Sequence, residues 1–529
     1  MNSLMRRACD GCRIRKVKCN GGSPCTQCAH LNLRCVLSPS SGRPKRVVRG
    51  SLVAQLRTSR GKESRIPDPV TPLPSGPRTR SSTDVAFRSG CTPRPDTASI
   101  VTQPGYSSEF FIGLVREFEA AVYPVNPIIT SDELRTAISD MNDSFEDTAL
   151  VYAFAAVTVN QTTTSWASRD DLAALIADLI ERSLQAHRRV ESVNGFVSDL
   201  SISVNSAVTC IFLGAALTAF KLFGRAFAML REAITIMQSL DTKQASCNCP
   251  DLDATDNARR HRIHWEMYMH ERFLSLVAGF PSILPALSAD LALTDSTIPP
   301  YIETGFNCLV RLFCIVDDTF LTNWTSYQQG WVENKQAQLD HDEASTAEAE
   351  QALQASGQGL LTALQHADLF VTRLWLRTLV WQLALSQGLL SSRSPRNRHE
   401  GLSLHFPAQR LPGQLRDLVG RLDSVACIGA HGNGILQKLF EIISTVADVL
   451  ALPLEVQTRD MATGQVEDLM ISVRFLFGFR RVHKSERDHL FEKVDTLRKI
   501  YTEADFGDLS MAGLEAEGVS LEDERQDSQ

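Results

Sequence analysis

Six of the chain's thirteen cysteines fall between residues 9 and 35, in the spacing C-x2-C-x6-C-x5-C-x2-C-x6-C. They are Cys9, Cys12, Cys19, Cys25, Cys28 and Cys35, and they form a duplication, CDGCRIRKVKC followed by CTQCAHLNLRC. Zinc takes four tetrahedral ligands and favours soft thiolate donors. Six donors fill two such sites only if two thiolates each bridge both metals, whereas a single ion would strand two thiols. A binuclear cluster holding two zinc ions is therefore expected. The segment needs the metal: a forty-residue unit cannot bury enough surface to fold unaided, and from the first cysteine on this one offers little beyond Ile14, Val17, Leu31, Leu33, Val36 and Leu37. Structural zinc supplies on the order of 10–16 kcal/mol in small finger peptides. Three disulfides would require an oxidising compartment. Arg6 and Arg7 lead straight into the cluster with no apolar leader, so the thiols are expected to stay reduced.

Charge is distributed very unevenly. Residues 1–105 hold 19 Lys/Arg against 5 Asp/Glu, a balance of +14, which leaves −21 for the remainder of a chain with net charge −7. A basic arm on an acidic body is the layout expected when one end meets a polyanion. The two halves of the cysteine repeat differ in the same way. RIRKVK lies between the ligands of the first and AHLNLR between those of the second, so only the first half carries a surface suited to a DNA groove.

With these residues in hand, the segment resembles the fungal zinc binuclear cluster transcription factors. The cysteine spacings, the basic run Arg13, Arg15, Lys16 and Lys18, and Pro24 before the fourth cysteine all match. The resemblance implies two short helices, each followed by an extended strand, related by a pseudo-dyad, with Cys9 and Cys25 as the bridging thiolates. It also implies that Lys16, assisted by Arg15 and Lys18, reads a CGG-type triplet through guanine acceptors in double-stranded DNA. Arg13 and the tract Arg43, Lys45, Arg46 and Arg49 are assigned to phosphate, and the tract GRPKRVVR also suits nuclear import.

Four regions are expected. Residues 1–40 form the cluster module, 41–105 a basic Pro/Ser-rich linker, 106–502 a large regulatory domain and 503–529 an acidic tail. Eight of the 22 prolines lie in residues 67–104, the composition of a disordered linker. Many relatives place a coiled coil just after the cluster. Here Leu52, Val53 and Leu56 appear before Pro67, and no heptad pattern is sustained. Either the chain forms a homodimer through its large domain or it binds a single half-site as a monomer.

The large domain reads as all-α. Phe220, Phe223, Phe227, Leu230, Ile234 and Met237 recur at spacings of three and four, as do Leu364, Val371, Leu374, Trp381 and Leu385 at helical multiples. Leu200 to Phe220 carries no charge, but Ser201, Ser203, Asn205, Ser206, Thr209 and Thr218 interrupt it, so a buried core helix is expected and no membrane association. Two segments resemble the middle homology region of the same family: YPVNPIIT (Tyr123 to Thr130), and Arg259 to Pro285 with its Glu271–Arg272 pair and Gly279-x-Pro281 end. Phe280 stands where relatives often carry arginine.

No enzyme is expected. G-x-S-x-G, H-E-x-x-H and P-loop patterns are absent, and the run Gly429 to Gly434 reads as a loop. Cys247, Cys249, His261 and His264 lack ligand-like spacing, so no second metal site is read there. The tail, nine acidic residues and one basic with Phe506, Leu509, Met511, Leu514, Val519 and Leu521 between them, has the composition of a segment that folds on a coactivator. The combined expectation is a small two-zinc binuclear cluster DNA-binding module plus a large all-α regulatory domain, joined by a disordered linker. It would act in the nucleus as an RNA polymerase II activator of a secondary-metabolite gene cluster; control of carbon or sugar utilisation genes, or repression, are the alternatives.

Overall fold

Hydroxyl and amide side chains open many of the helices, and glycines close several. Ser107, Thr130, Ser203 and Thr362 each accept a backbone N–H of the first turn, and Thr130 with Glu133 and Thr362 with Gln365 form complete capping boxes. Gly279 (φ 68°) and Gly388 (φ 71°) end two of the longest helices in the left-handed conformation that a side chain would strain. The structure is a computed structural model. It describes Cys9, Cys12, Cys19, Asn20, Gly22, residues 24–30 and Cys35. It then describes residues 106–506 apart from 163–168, 194–202, 247–252, 288–294, 324–330, 392–398, 422–431, 453–458, 480–481 and 483.

Among the described residues the cluster segment shows a short helix, α1 (Thr26–His30). The large domain begins with α2 (Ser108–Ala121), α3 (Ser131–Asp140), α4 (Phe145–Thr162), α5 (Arg169–Val193), α6 (Val204–Ala219), α7 (Phe223–Ser246) and α8 (Ala254–Ala278). It continues with α9 (Pro300–Cys314), α10 (Asp318–Asn323), α11 (Trp331–Ser356), α12 (Ala363–Gln387), α13 (Phe406–Arg421), α14 (Gly432–Leu450), α15 (Arg459–Gly478) and α16 (Lys484–Ile500). Among the described residues there is no strand, only an isolated bridge between Ser391 and Ser403. The all-α reading of this region is the observed architecture.

The centre of the first half is α4 beside α6. Residues 149–160 of α4 are all buried, and α6 is buried on nearly every side, which accounts for its lack of charge. No helix among the described residues is long and apolar enough to cross a membrane. Helices α2, α5, α7 and α8 pack around this centre. In the second half α12 packs on α9, α11 and α14, and α13, α15 and α16 close around α14. One continuous apolar core runs through both halves.

The second predicted stripe is α12, with Leu364, Val371, Leu374 and Trp381 all buried. The first is not one helix. The chain turns at Phe220–Leu222, where Lys221 adopts φ 56°, so Phe220 caps α6 and the stripe from Phe223 belongs to α7. The Gly429–Gly434 run also departs from a simple loop, because α14 begins at Gly432. At the far end Ala504 and Phe506, sequence-assigned to the tail, pack against the core, with the Arg498 guanidinium 5.5 Å from the Phe506 ring centre.

The two segments that resemble the middle homology region dock on each other. Arg262 Nε donates to Pro127 O at 2.8 Å, Arg259 Nε to Ile128 O at 3.0 Å, and Asn126 Nδ2 to Glu266 at 2.9 Å. The Arg262 head is balanced by Asp295 at 2.7 Å. Phe280 stacks flat on Phe227 of α7, ring centres 4.4 Å apart, with the Arg231 guanidinium 4.6 Å from the Phe227 ring centre. Arg231 also pairs with Glu271 at 3.0 Å.

Candidate metal centre

Each half of the cysteine repeat folds the same way locally. The Cys12 N–H donates to Cys9 Sγ at 3.4 Å, and sixteen positions later the Cys28 N–H donates to Cys25 Sγ at 3.4 Å. The first cysteine of each C-x2-C thus accepts the amide three residues on, the geometry of a helix N-cap. Asn20, a residue not singled out from the sequence, accepts the Thr26 N–H at 3.1 Å at the start of α1. The Cys25 N–H donates to Cys35 Sγ at 3.3 Å, which brings the last cysteine back onto the fourth.

The sulfurs gather as the spacing requires. Cys9 Sγ lies 3.6 Å from both Cys25 and Cys28, and Cys12 Sγ lies 3.4 Å from Cys25. Disulfide sulfurs would sit about 2.05 Å apart. Thiolates on the corners of a tetrahedral zinc, each about 2.3 Å from the metal, are about 3.8 Å apart. The observed spacing is that of a coordination shell, and none of the described cysteines is disulfide-bonded. Two four-sulfur groups can each surround an ion: Cys9, Cys12, Cys19 and Cys25, and Cys9, Cys25, Cys28 and Cys35. They share Cys9 and Cys25. The donor set therefore fits two zinc ions.

That arrangement belongs to a known family. Residues 7–44 match the fungal Zn(2)-Cys(6) binuclear cluster domain. They are such a domain. It binds two zinc ions and DNA, and its match ends four residues beyond the boundary expected at residue 40. The chain is also similar to the maltose fermentation regulatory protein MAL13 of Saccharomyces cerevisiae, 20% identical over 459 residues that cover 84% of each protein. Two further relatives match over short segments. The thiamine repressible genes regulatory protein thi1 of Schizosaccharomyces pombe is 54% identical over 35 residues, 7% of this chain and 4% of that protein. The fumonisin cluster-specific transcription factor FUM21 of Gibberella moniliformis is 50% identical over 36 residues, 7% and 5%. The family and these homologues are transcription regulators, not enzymes.

Packing the sulfurs together favours the neutral thiol at most of them. Burial lifts the Cys9 thiol far above its ordinary value, the Cys12 thiol to about 12, and Cys28 in the same direction. Burial also pushes on Cys25, but the Cys28 N–H and the surrounding thiols outweigh it and bring Cys25 down to about 6. Zinc binding must therefore displace protons from Cys9, Cys12 and Cys28 at neutral pH, while Cys25 is already a thiolate. Zinc affinity, measured by competition with a chelator, is expected to weaken as pH falls from about 8 to about 6, roughly tenfold per unit for each proton displaced.

The DNA-reading candidates Arg13, Arg15, Lys16, Lys18, Arg43, Lys45 and Arg46 lie outside the described residues, as do Cys247, Cys249 and most of the acidic tail. His264 Nε2 lies 3.2 Å from Pro285 O. A third group of metal-ligating types, His187, Cys210 and Glu232, is an ordinary hydrogen-bonded pair, His187 Nε2 to Glu232 at 2.7 Å, with the Cys210 sulfur 3.7 Å from the ring nitrogen.

Proposed function

We propose that this chain is a zinc-dependent, sequence-specific regulator of RNA polymerase II transcription acting in the nucleus. Cys9, Cys12, Cys19, Cys25, Cys28 and Cys35 hold two zinc ions, with Cys9 and Cys25 bridging. The observation that carries the reading is the pair of four-sulfur groups sharing those two residues, set in the basic half of a charge-divided chain. Lys16, with Arg15 and Lys18, reads a CGG-type site in the major groove, and Arg13, Arg43, Lys45 and Arg46 contact phosphate. Residues 106–502 form the regulatory domain, residues 41–105 connect it to the cluster, and residues 503–529 recruit a coactivator.

The targets are metabolic genes, in the first reading a biosynthetic cluster. One observation favours the second reading, carbon or sugar utilisation: the likeness to the maltose regulator extends over 84% of both chains, whereas that to the fumonisin factor covers 36 residues. Mapping of bound sites across the genome separates the two by the genes beside the peaks. At the level of the module, Lys16→Ala is expected to keep both zinc ions yet lose about 1–3 kcal/mol of discrimination for the CGG triplet. Arg43→Ala is expected instead to weaken all sequences alike and flatten the salt dependence by about one unit. Normal site-specific binding by Lys16→Ala, in a gel-shift titration against a scrambled competitor, would remove Lys16 from the reading role.

A further inference from the structure

The large domain holds a partly open cavity of about 160 Å³, between α4, α6 and α8 on one side and α12 and α14 on the other. That is close to the size of an apolar cavity able to hold a benzene ring. Much of the wall is apolar, from Ile211, Met269, Phe273 and Phe313. Three of its lining residues each hold a buried oxygen without a hydrogen-bond partner among the described residues: Glu266 Oε2, Asn126 Oδ1 and Gln161 Oε1. Glu266 and Asn126 are 4% and 8% exposed, so neither oxygen is served by bulk solvent. Buried polar groups ordinarily find partners, and a bare buried carboxylate is among the costliest exceptions.

All three are acceptors once Glu266 is ionised. The Asn126 amide is oriented by its own Nδ2 donating to Glu266 Oε1 at 2.9 Å, which turns its oxygen away. His270 Nε2 stands 3.2 Å from the same Oε1 and leaves Oε2 uncovered. The cation of the cavity, Lys438, is committed elsewhere: its Nζ lies 3.2 Å from Asp368 and 2.6 Å from Thr372 Oγ1. A cationic ligand would hold Glu266 in its ionised form and supply the donors that all three oxygens then accept. We propose that the cavity is a binding site for a small primary ammonium compound with a compact apolar body, its nitrogen seated between Glu266, Asn126 and Gln161. The proposal does not depend on DNA binding by the zinc cluster.

The acid–base state of the site agrees with its geometry. Burial raises Glu266 to about 8, with the Asp368 charge adding to it, so the carboxyl is mostly protonated at pH 7 in the free protein. His270 is pushed down to about 4 by burial and by Lys438, and stays neutral. Cys210, Asp368 and Lys438 are the other titratable groups on the wall. An ammonium ion favours the ionised carboxylate, so binding at pH 7 releases close to one proton, and affinity rises between pH 6 and pH 8.

The test titrates the full-length protein calorimetrically with primary ammonium ions from methylammonium to benzylammonium, and with the alcohols of the same shape. Two buffers of different ionisation enthalpy count the protons. At least one ammonium ion is expected to bind about tenfold or more tighter than its alcohol, with proton release at pH 7, and Glu266→Gln to weaken it about thirtyfold. Gln161→Ala, at the half-exposed rim, is expected to weaken it in the same direction and guards against a Glu266 variant that fails to fold. Failure of every ammonium ion to bind, an alcohol binding as well, or unchanged affinity in a folded Glu266→Gln protein would each overturn the proposal.

Discussion

Replacing Cys25 by serine is expected to empty the cluster module of both zinc ions, whereas replacing Cys28 is expected to cost one. Cys25 belongs to both four-sulfur groups, so its loss leaves each with three donors; Cys28 belongs to one, and the set Cys9, Cys12, Cys19 and Cys25 survives intact. The scale follows from the module's poverty of core. Its buried cluster among the described residues consists of cysteines, and its sequence offers few apolar side chains to offset about 10–16 kcal/mol of zinc-linked folding energy. Specific DNA affinity should vanish for Cys25→Ser in step with its zinc. The check is the zinc-to-protein ratio by elemental analysis, read beside a DNA titration of the same samples. Two zinc ions retained by Cys25→Ser would refute the shared-ligand assignment, and equal losses in the two variants would refute the division into two sets.

The cluster was legible from sequence because its constraint is chemical and local. Six sulfurs within twenty-seven positions admit few coordination schemes, and the twin N–H contacts to Cys9 and Cys25 repeat the duplication of the text. Long helices such as α12 were legible for a related reason, since period and caps coincide there. The misses have physical causes. The turn at Lys221 contains neither glycine nor proline, and the apolar spacing runs straight through it; tertiary packing of α6 against α7 holds a left-handed residue that local preference would not choose. Helix α13 runs through Pro412 and Gly413, a pair that ordinarily ends a helix. The polar cavity was invisible because Asn126, Glu266, Asp368 and Lys438 are far apart in the chain, and each alone reads as a solvated surface group.

Removal of the Glu271 carboxylate is expected to be the most damaging single change in the large domain. Glu271 is fully buried on α8 and accepts the N–H groups of Ile283 and Leu284, both at 2.9 Å, and the Ser282 hydroxyl at 2.8 Å, while Arg231 pairs with it at 3.0 Å. Its neighbour Arg272, 1% exposed, donates to Leu284 O and Asp318, both at 2.9 Å, and lies over the Tyr268 ring. The two residues clamp the chain that follows the left-handed Gly279, which is how the Gly-x-Pro end is held against α7 and α8. Glu271→Ala strands two backbone donors and leaves Arg231 without its buried counter-charge, and breaking a buried pair in this way costs about 3–5 kcal/mol. Glu271→Gln keeps the shape and one acceptor oxygen, but turns an amide donor toward donors, and should cost about 1–3 kcal/mol. Urea unfolding followed by tryptophan fluorescence gives both values on one scale, Trp265 and Trp375 being buried reporters. The order alanine worse than glutamine, with the alanine variant at least a few kcal/mol below the parent, is the expected result. An alanine variant within about 1 kcal/mol of the parent would mean that the segment after Gly279 is held by the Phe280–Phe227 stack instead of by the carboxylate.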